Sequence, residues 1–251
     1  MNLPGMTIVF DNDPGLPGFP TLWGFAAVIQ TPARIVLFDT GSNGRALLKN
    51  MAALQLPPAA VDLLFLSHPH WDHIGGLDSF LEVNPRATVV VHDGFSKHLI
   101  QDLRALCGEV RVVGPEPQPL APGIFSTGVF DSEPPEQALI LDIDGLTAAI
   151  SGCAHPGMER IVERAKTFLG KPVEWAIGGF HLMYADAAAI ARAMASLQHL
   201  GVEYVVPTHC TGDEAREAFR RAYGERCLLG GVGRRIEFGQ WQNSRGAHDA
   251  P

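Results

Sequence analysis

At 251 residues and 46% hydrophobic content, the chain carries enough apolar material for a substantial core, in one large domain or two small ones. A formal net charge of −8 argues against nonspecific attraction to nucleic acid or to an anionic membrane surface, and favours a small-molecule substrate. The opening MNLPGMTIVFDNDPG lacks a basic stretch followed by an apolar run, and no later segment offers about 18 apolar residues without polar breaks, so a cytoplasmic protein is expected.

Candidate strands, rich in Val, Ile and Phe and bounded by Gly, Pro or Asp, fall at 7–10, 25–31, 34–38, 63–66, 87–91 and 110–113. Between them, 45–54 places Leu47, Leu48, Met51 and Leu54 on one helical face, and 94–106 has a similar character. The second half repeats the style, with strands at 137–143, 146–150, 173–177 and 204–207 and helices at 158–169, 185–200 and 213–223. The Pro-rich stretch 115–122 and the segment 131–135 read as loops, because Pro cannot donate to a sheet ladder. With no linker and no tandem period, the pattern predicts a single α/β domain over 1–240 and a polar tail over 241–251.

The strongest chemical signal is Ser67-His68-Pro69-His70-Trp71-Asp72-His73, directly after the buried-type run Leu63-Leu64-Phe65-Leu66. Imidazole and carboxylate suit zinc and related divalent ions, and one loop can aim His68 and His70 at one ion while Asp72 and His73 address another. His155, His181 and His209 each follow a candidate strand as well, so four strand ends could converge on one site. His92, His98, His199 and His248 have no comparable context and read as structural or solvent-facing.

HPHWDH matches the HxHxDH signature of the metallo-β-lactamase superfamily, and the flanking Phe38-Asp39-Thr40-Gly41, Ser67 and Gly75-Gly76 agree with it. Asp11-Asn12, Trp23-Gly24-Phe25, Ser151-Gly152-Cys153-Ala154-His155-Pro156-Gly157, Gly178-Gly179-Phe180-His181-Leu182 and Pro207-Thr208-His209-Cys210-Thr211-Gly212 resemble one branch of it. That branch includes dihydropterin-type aminobenzene ribosyl phosphate synthases and many metal-dependent hydrolases. The resemblance implies a four-layer αβ/βα sandwich of two mixed sheets flanked by helices, with a dinuclear metal centre at one edge. It implies His68, His70 and His155 as ligands of a first metal, and Asp72, His73 and His209 as ligands of a second. Two divalent ions, zinc first with manganese or iron as alternatives, are the expected cofactors.

Asp72 and His181 are the candidate catalytic residues. His181 could bind substrate, transfer a proton or act as a further ligand, its glycine-rich segment permitting close backbone approach. Asp39 would sit behind the loop and orient imidazoles, unless Asp-Thr-Gly serves only to form a turn. Cys153 stands where better-known members of the superfamily carry a bridging aspartate. Either Cys153 is an additional thiolate ligand, or it packs as a small buried residue while His155 ligates from a different loop and water bridges. Glu133 and Glu136, in the loop before a candidate strand, could either approach the site or face solvent, and solvent is the favoured expectation. The four cysteines, Cys107, Cys153, Cys210 and Cys227, form no CxxC pair and read as reduced thiols.

The leading expectation is a metal-dependent hydrolase of a small anionic, phosphate-containing substrate. The runner-up is the pterin-type synthase, and a non-hydrolytic di-iron redox or metal-binding module is the third reading. Neither a nucleic-acid nor a membrane partner is expected, and a homo-oligomer is compatible with the sequence.

Overall fold

The computed structural model describes residues 4–238, so the expected tail over 241–251 lies outside the described residues. In the first half the chain forms strands β1 (Gly5–Asp11), β2 (Phe25–Gln30), β3 (Ile35–Phe38), β4 (Leu63–Phe65), β5 (Thr88–His92) and β6 (Glu109–Val113), with helices α1 (Gly44–Ala53), α2 (Trp71–Ile74), α3 (Leu77–Val83) and α4 (Lys97–Leu106) between them. The second half forms β7 (Gln118–Ala121), β8 (Ile124–Phe130), β9 (Glu136–Ile143), β10 (Leu146–Ser151), α5 (Met158–Leu169), β11 (Trp175–Gly179), α6 (Ala187–Leu200), β12 (Tyr204–Thr208), α7 (Asp213–Tyr223) and β13 (Arg235–Glu237).

These strands make two mixed sheets, ordered β13-β1-β2-β3-β4-β5-β6 and β12-β11-β10-β9-β8-β7. Strand alternation explains how they stack. In β4, Leu63 and Phe65 face the opposite sheet and share a core with Leu139, Ile150 and Ile177. Leu64 turns to the other face, where Leu47, Phe80 and Leu103 cover it from α1, α3 and α4. On the second sheet Ile140, Ala149 and Val205 meet Ile161, Leu197 and Phe219 of α5, α6 and α7. The order is therefore helices, sheet, sheet, helices, the four-layer sandwich expected.

Two expectations need correction. The stretch 115–122 is not all loop: β7 runs through Pro119, which is tolerated because β7 is an edge strand with a register shift between Pro119 and Ala121. β8 was not anticipated, because Gly128 interrupts its apolar pattern; Gly128 has φ +72° and lies in the register shift between Ser126 and Val129. Among the described residues no helix is long and apolar enough to cross a membrane.

The parallel runs β3-β4-β5 and β10-β11-β12 bring their carboxyl ends to a common edge. Close approach there depends on Gly178 of β11, which has φ +115° and whose added Cβ would stand 2.0 Å from the Ser151 carbonyl oxygen of β10. Gly178→Ala is expected to destabilise the fold by about 2 kcal/mol or more. Urea unfolding would check this, and a midpoint equal to that of the unsubstituted chain would contradict the packing argument.

Candidate metal centre

Every candidate side chain leaves the end of a strand at that edge. Asp39 follows β3, the His68–His73 loop follows β4, Cys153 and His155 follow β10, His181 follows β11 and His209 follows β12. Asp39, Ala154, His181 and His209 adopt left-handed φ values of 54°, 57°, 52° and 50°, four of the six such non-glycine residues described. Backbone strain thus gathers where the side chains converge.

The side chains form two adjacent groups. His68, His70 and His155 make one and Asp72, His73 and His209 the other, each with its donor atoms within 4.8 Å of one another. The groups meet where the His68 and His73 ring centroids lie 4.1 Å apart. These are the two triads that the family resemblance implies.

What aims the imidazoles is a set of acceptors behind them. Asp39 Oδ2 accepts from His73 Nδ1 at 2.7 Å and from Ser67 Oγ at 2.6 Å, and Ser67 Oγ lies 2.9 Å from His68 Nδ1. Glu136 Oε2 accepts from His155 Nδ1 at 2.7 Å, and Asn12 Oδ1 from His209 Nδ1 at 2.6 Å. All four rings therefore turn Nε2 toward the common space. His68 Nε2 and His209 Nε2 are buried with no hydrogen-bond partner among the described residues. Unpaired buried nitrogens of this kind are costly unless a cation takes them, so the donor set fits divalent metal.

Glu136 and Asn12 hold site imidazoles, and sequence reasoning assigned neither that part. Glu136 was expected in solvent and is fully buried: its carboxylate also accepts from Ser151 Oγ and from the backbone N–H groups of Cys153, Ala154 and His155. It holds the whole turn after β10 as well as the His155 ring. The one available signal for Asn12 was its place in the Asp11-Asn12 pair just after β1. Asp39 plays both roles weighed for it, since Gly41 has φ +64° and Thr40 donates to the His73 carbonyl from both its N–H and its hydroxyl.

Burial and neighbouring charge act differently on the individual imidazoles. Burial and the neighbouring His73 hold His68 well below its ordinary value, leaving a lone pair for coordination. For His73 burial acts downward, but the charge and hydrogen bond of Asp39 outweigh it and raise the pKa. Burial acts upward on Asp72, yet His209 and His73 outweigh it and bring the carboxyl down to about 2. Asp72 Oδ2 lies 3.4 Å from His209 Nε2 and 3.7 Å from His73 Nε2.

Cys153 lies between the triads, its sulfur 3.3 Å from His73 Nε2. His181 is exposed at the mouth with its ring centroid 4.7 Å from that of His155, and the Cys210 sulfur beside it raises its pKa. Trp23 leans on His209 from the other side at 5.0 Å. Gly152 marks where the loop after β10 crosses the Asp39 network: an added Cβ would stand 2.3 Å from Ser67 Oγ and 3.0 Å from Asp39 Oδ2. Of the histidines set aside, His92 is buried against Phe95 and His98 and His199 are exposed, while His248 lies outside the described residues.

The family model of the metallo-beta-lactamase superfamily matches residues 24–209, a stretch that includes both triads. The chain belongs to that superfamily. A 7,8-dihydropterin-6-methyl-4-(beta-D-ribofuranosyl)-aminobenzene-5'-phosphate synthase of Methanocaldococcus jannaschii is 29% identical over 235 residues, covering 76% of this chain and 80% of that relative. Among solved structures, Tm1679, a metal-dependent hydrolase of the beta-lactamase superfamily, aligns with TM-score 0.77 at 23% identity over 93% of this chain and 98% of that one. The metallo-beta-lactamase fold protein YhfI from Bacillus subtilis aligns with TM-score 0.70 at 16% identity over 93% and 99%. At these identities the two structures speak to the superfamily fold.

Glu136 generates a test. Burial opposes its ionisation, but the hydrogen bond to His155 and the charges of His68 and His155 outweigh that and hold its carboxyl below the ordinary 4.5. A carboxyl depressed in the folded state stabilises it fully above the ordinary value, and that stability is lost as pH falls below it. Unfolding stability should therefore drop below pH 4.5, and Glu136→Gln should flatten that part of the profile. The same substitution is expected to weaken zinc binding by about 10–100-fold in chelator competition. Unchanged zinc affinity would show that the His155 tether is dispensable.

Proposed function

We propose that the protein is a hydrolase using a dinuclear metal centre on a small anionic, phosphate-containing substrate. Carrying this reading is the pairing of two adjacent donor triads with a cavity of about 500 Å³ that opens at His155 of the first. His155 and His181 line that cavity together with Arg192, Ser196 and Glu159. A cavity of this size suits a metabolite rather than a polymer, and Arg192 offers a guanidinium to an anionic group.

Divalent cations held by His68, His70 and His155 and by Asp72, His73 and His209 would supply positive charge beside a reacting oxygen and lower the pKa of water there. The chain's own contributions are orientation and proton handling. Asp39, Glu136 and Asn12 fix the imidazoles through their Nδ1 atoms, so little reorganisation accompanies the reaction. His181 lines the cavity and the Cys210 sulfur raises its pKa, which supports a part in which it holds a proton on its ring and delivers it to a departing group.

The likeness to the dihydropterin-type synthase supports a second reading, transfer between a pterin precursor and an aminobenzene ribosyl phosphate. The same cationic site would then receive the anionic leaving group rather than a hydrolysed ester. Product analysis on a panel of phosphodiesters, lactones and pterin precursors separates the two. Release of water-derived products alone supports hydrolysis, whereas a condensed product supports the synthase.

His70→Ala and Asp72→Ala are each expected to lose bound metal and turnover together, measured by elemental analysis and by rates on that panel. Metal content unchanged in both would overturn the ligand assignment. His181→Ala is expected to keep its metal and lower kcat by about 10²–10⁴-fold. Retention of full kcat would remove His181 from the proton path.

A further inference from the structure

Two of the four cysteines are accounted for by packing: Cys227 belongs to the cluster under α5, α6 and α7, and Cys107 packs on the edge of the cluster under α4. Cys153 and Cys210 are as buried, at 4% and 6% exposure, yet belong to none of the three hydrophobic clusters. Their neighbours are donors. Cys153 Sγ, Cys210 Sγ and a His209 ring nitrogen lie within 4.8 Å of one another. Cys153 also completes a group with His68 and His73 and another with His155 and His181, whereas among the described residues Cys210 joins just the group shared with His209.

The backbone is built around the second sulfur. The turn His209–Thr211 follows β12 with His209 in the left-handed region, and the Cys210 carbonyl accepts from Met183 N–H at 3.1 Å. Gly179 leaves the necessary room, since a Cβ there would stand 2.6 Å from Cys210 Sγ. The thiol donates toward the Cys153 carbonyl at 3.6 Å, which keeps it on the side of the loop after β10.

We propose that the second cation has two overlapping seats that share His209: a hard one formed by Asp72, His73 and His209, and a soft one formed by Cys153, His209 and Cys210. A carboxylate beside imidazoles admits manganese as well as zinc, though more weakly, whereas thiolate donors select thiophilic ions such as zinc, cobalt and ferrous iron. Metal identity then decides which seat fills. Entry into the soft seat removes the proton from each coordinating thiol and releases it to solvent. This inference rests on the metal-centre reading above.

The test uses the full-length metal-free protein titrated separately with zinc, cobalt and manganese, in the unsubstituted form and as Cys210→Ser, Cys153→Ser and Cys227→Ser. Cobalt should give a near-ultraviolet sulfur-to-cobalt charge-transfer band that weakens in Cys210→Ser and in Cys153→Ser. Zinc affinity by chelator competition should fall about tenfold or more in Cys210→Ser while manganese affinity stays unchanged. Cys227→Ser, a buried cysteine packed among apolar residues, should behave as the unsubstituted chain. Cobalt bound without a charge-transfer band, or equal loss of zinc and manganese in Cys210→Ser, would overturn the soft seat and leave the metal centre standing. Failure to bind any of the three ions would overturn both.

Discussion

Asp39 carries one carboxylate, fully buried, and three donors converge on it: the Ser67 N–H, the Ser67 hydroxyl and His73 Nδ1. Through Ser67 it reaches His68 as well, so one acidic group sets the ring orientation of a residue from each triad. The position is strained, with φ 54°, and burial pushes the carboxyl above its ordinary value. Such a group persists because both of its oxygens accept hydrogen bonds and because the loop it holds is in turn fastened by Thr40 to the His73 carbonyl.

The remainder of the site follows from sheets that end together. The second sheet reaches the Asp39 network at Gly152, where no side chain could be accommodated, and delivers Cys153 and His155 beyond it. Glu136 answers Asp39 from the other sheet, as a buried carboxylate that ties His155 and three backbone N–H groups into one turn. Each half of the sandwich thus supplies donor side chains and its own acidic clamp. The hydrophobic core between the sheets keeps the two halves in register.

Much of this was legible because the chemistry is local. His68, His70, Asp72 and His73 stand within six residues after a strand, and Asp-Thr-Gly reads as a strand-end turn. Glu136 was not legible. It is 19 residues from His155 and follows a proline-rich loop, where a glutamate looks like a solvated one. Only the antiparallel pairing of β9 with β10 brings the start of one strand beside the end of the other. Asn12 lies 197 residues from His209, and nothing near it in sequence hints at an imidazole. β7 escaped for a different reason, because edge strands tolerate Pro119 where a central strand would not. Periodicity reads faces of elements; it does not read which ends meet.

Four imidazoles are held by their Nδ1 atoms so that Nε2 faces the space between two adjacent groups of donors. A crystal structure of the metal-loaded protein, with anomalous difference maps recorded on both sides of the zinc edge, tests this most directly. Two neighbouring anomalous peaks are expected, one bound by Nε2 of His68 and His155 and the other by Nε2 of His73 and His209. A single peak, or coordination through any of the four Nδ1 atoms with Asp39, Glu136 or Asn12 turned away, would contradict it.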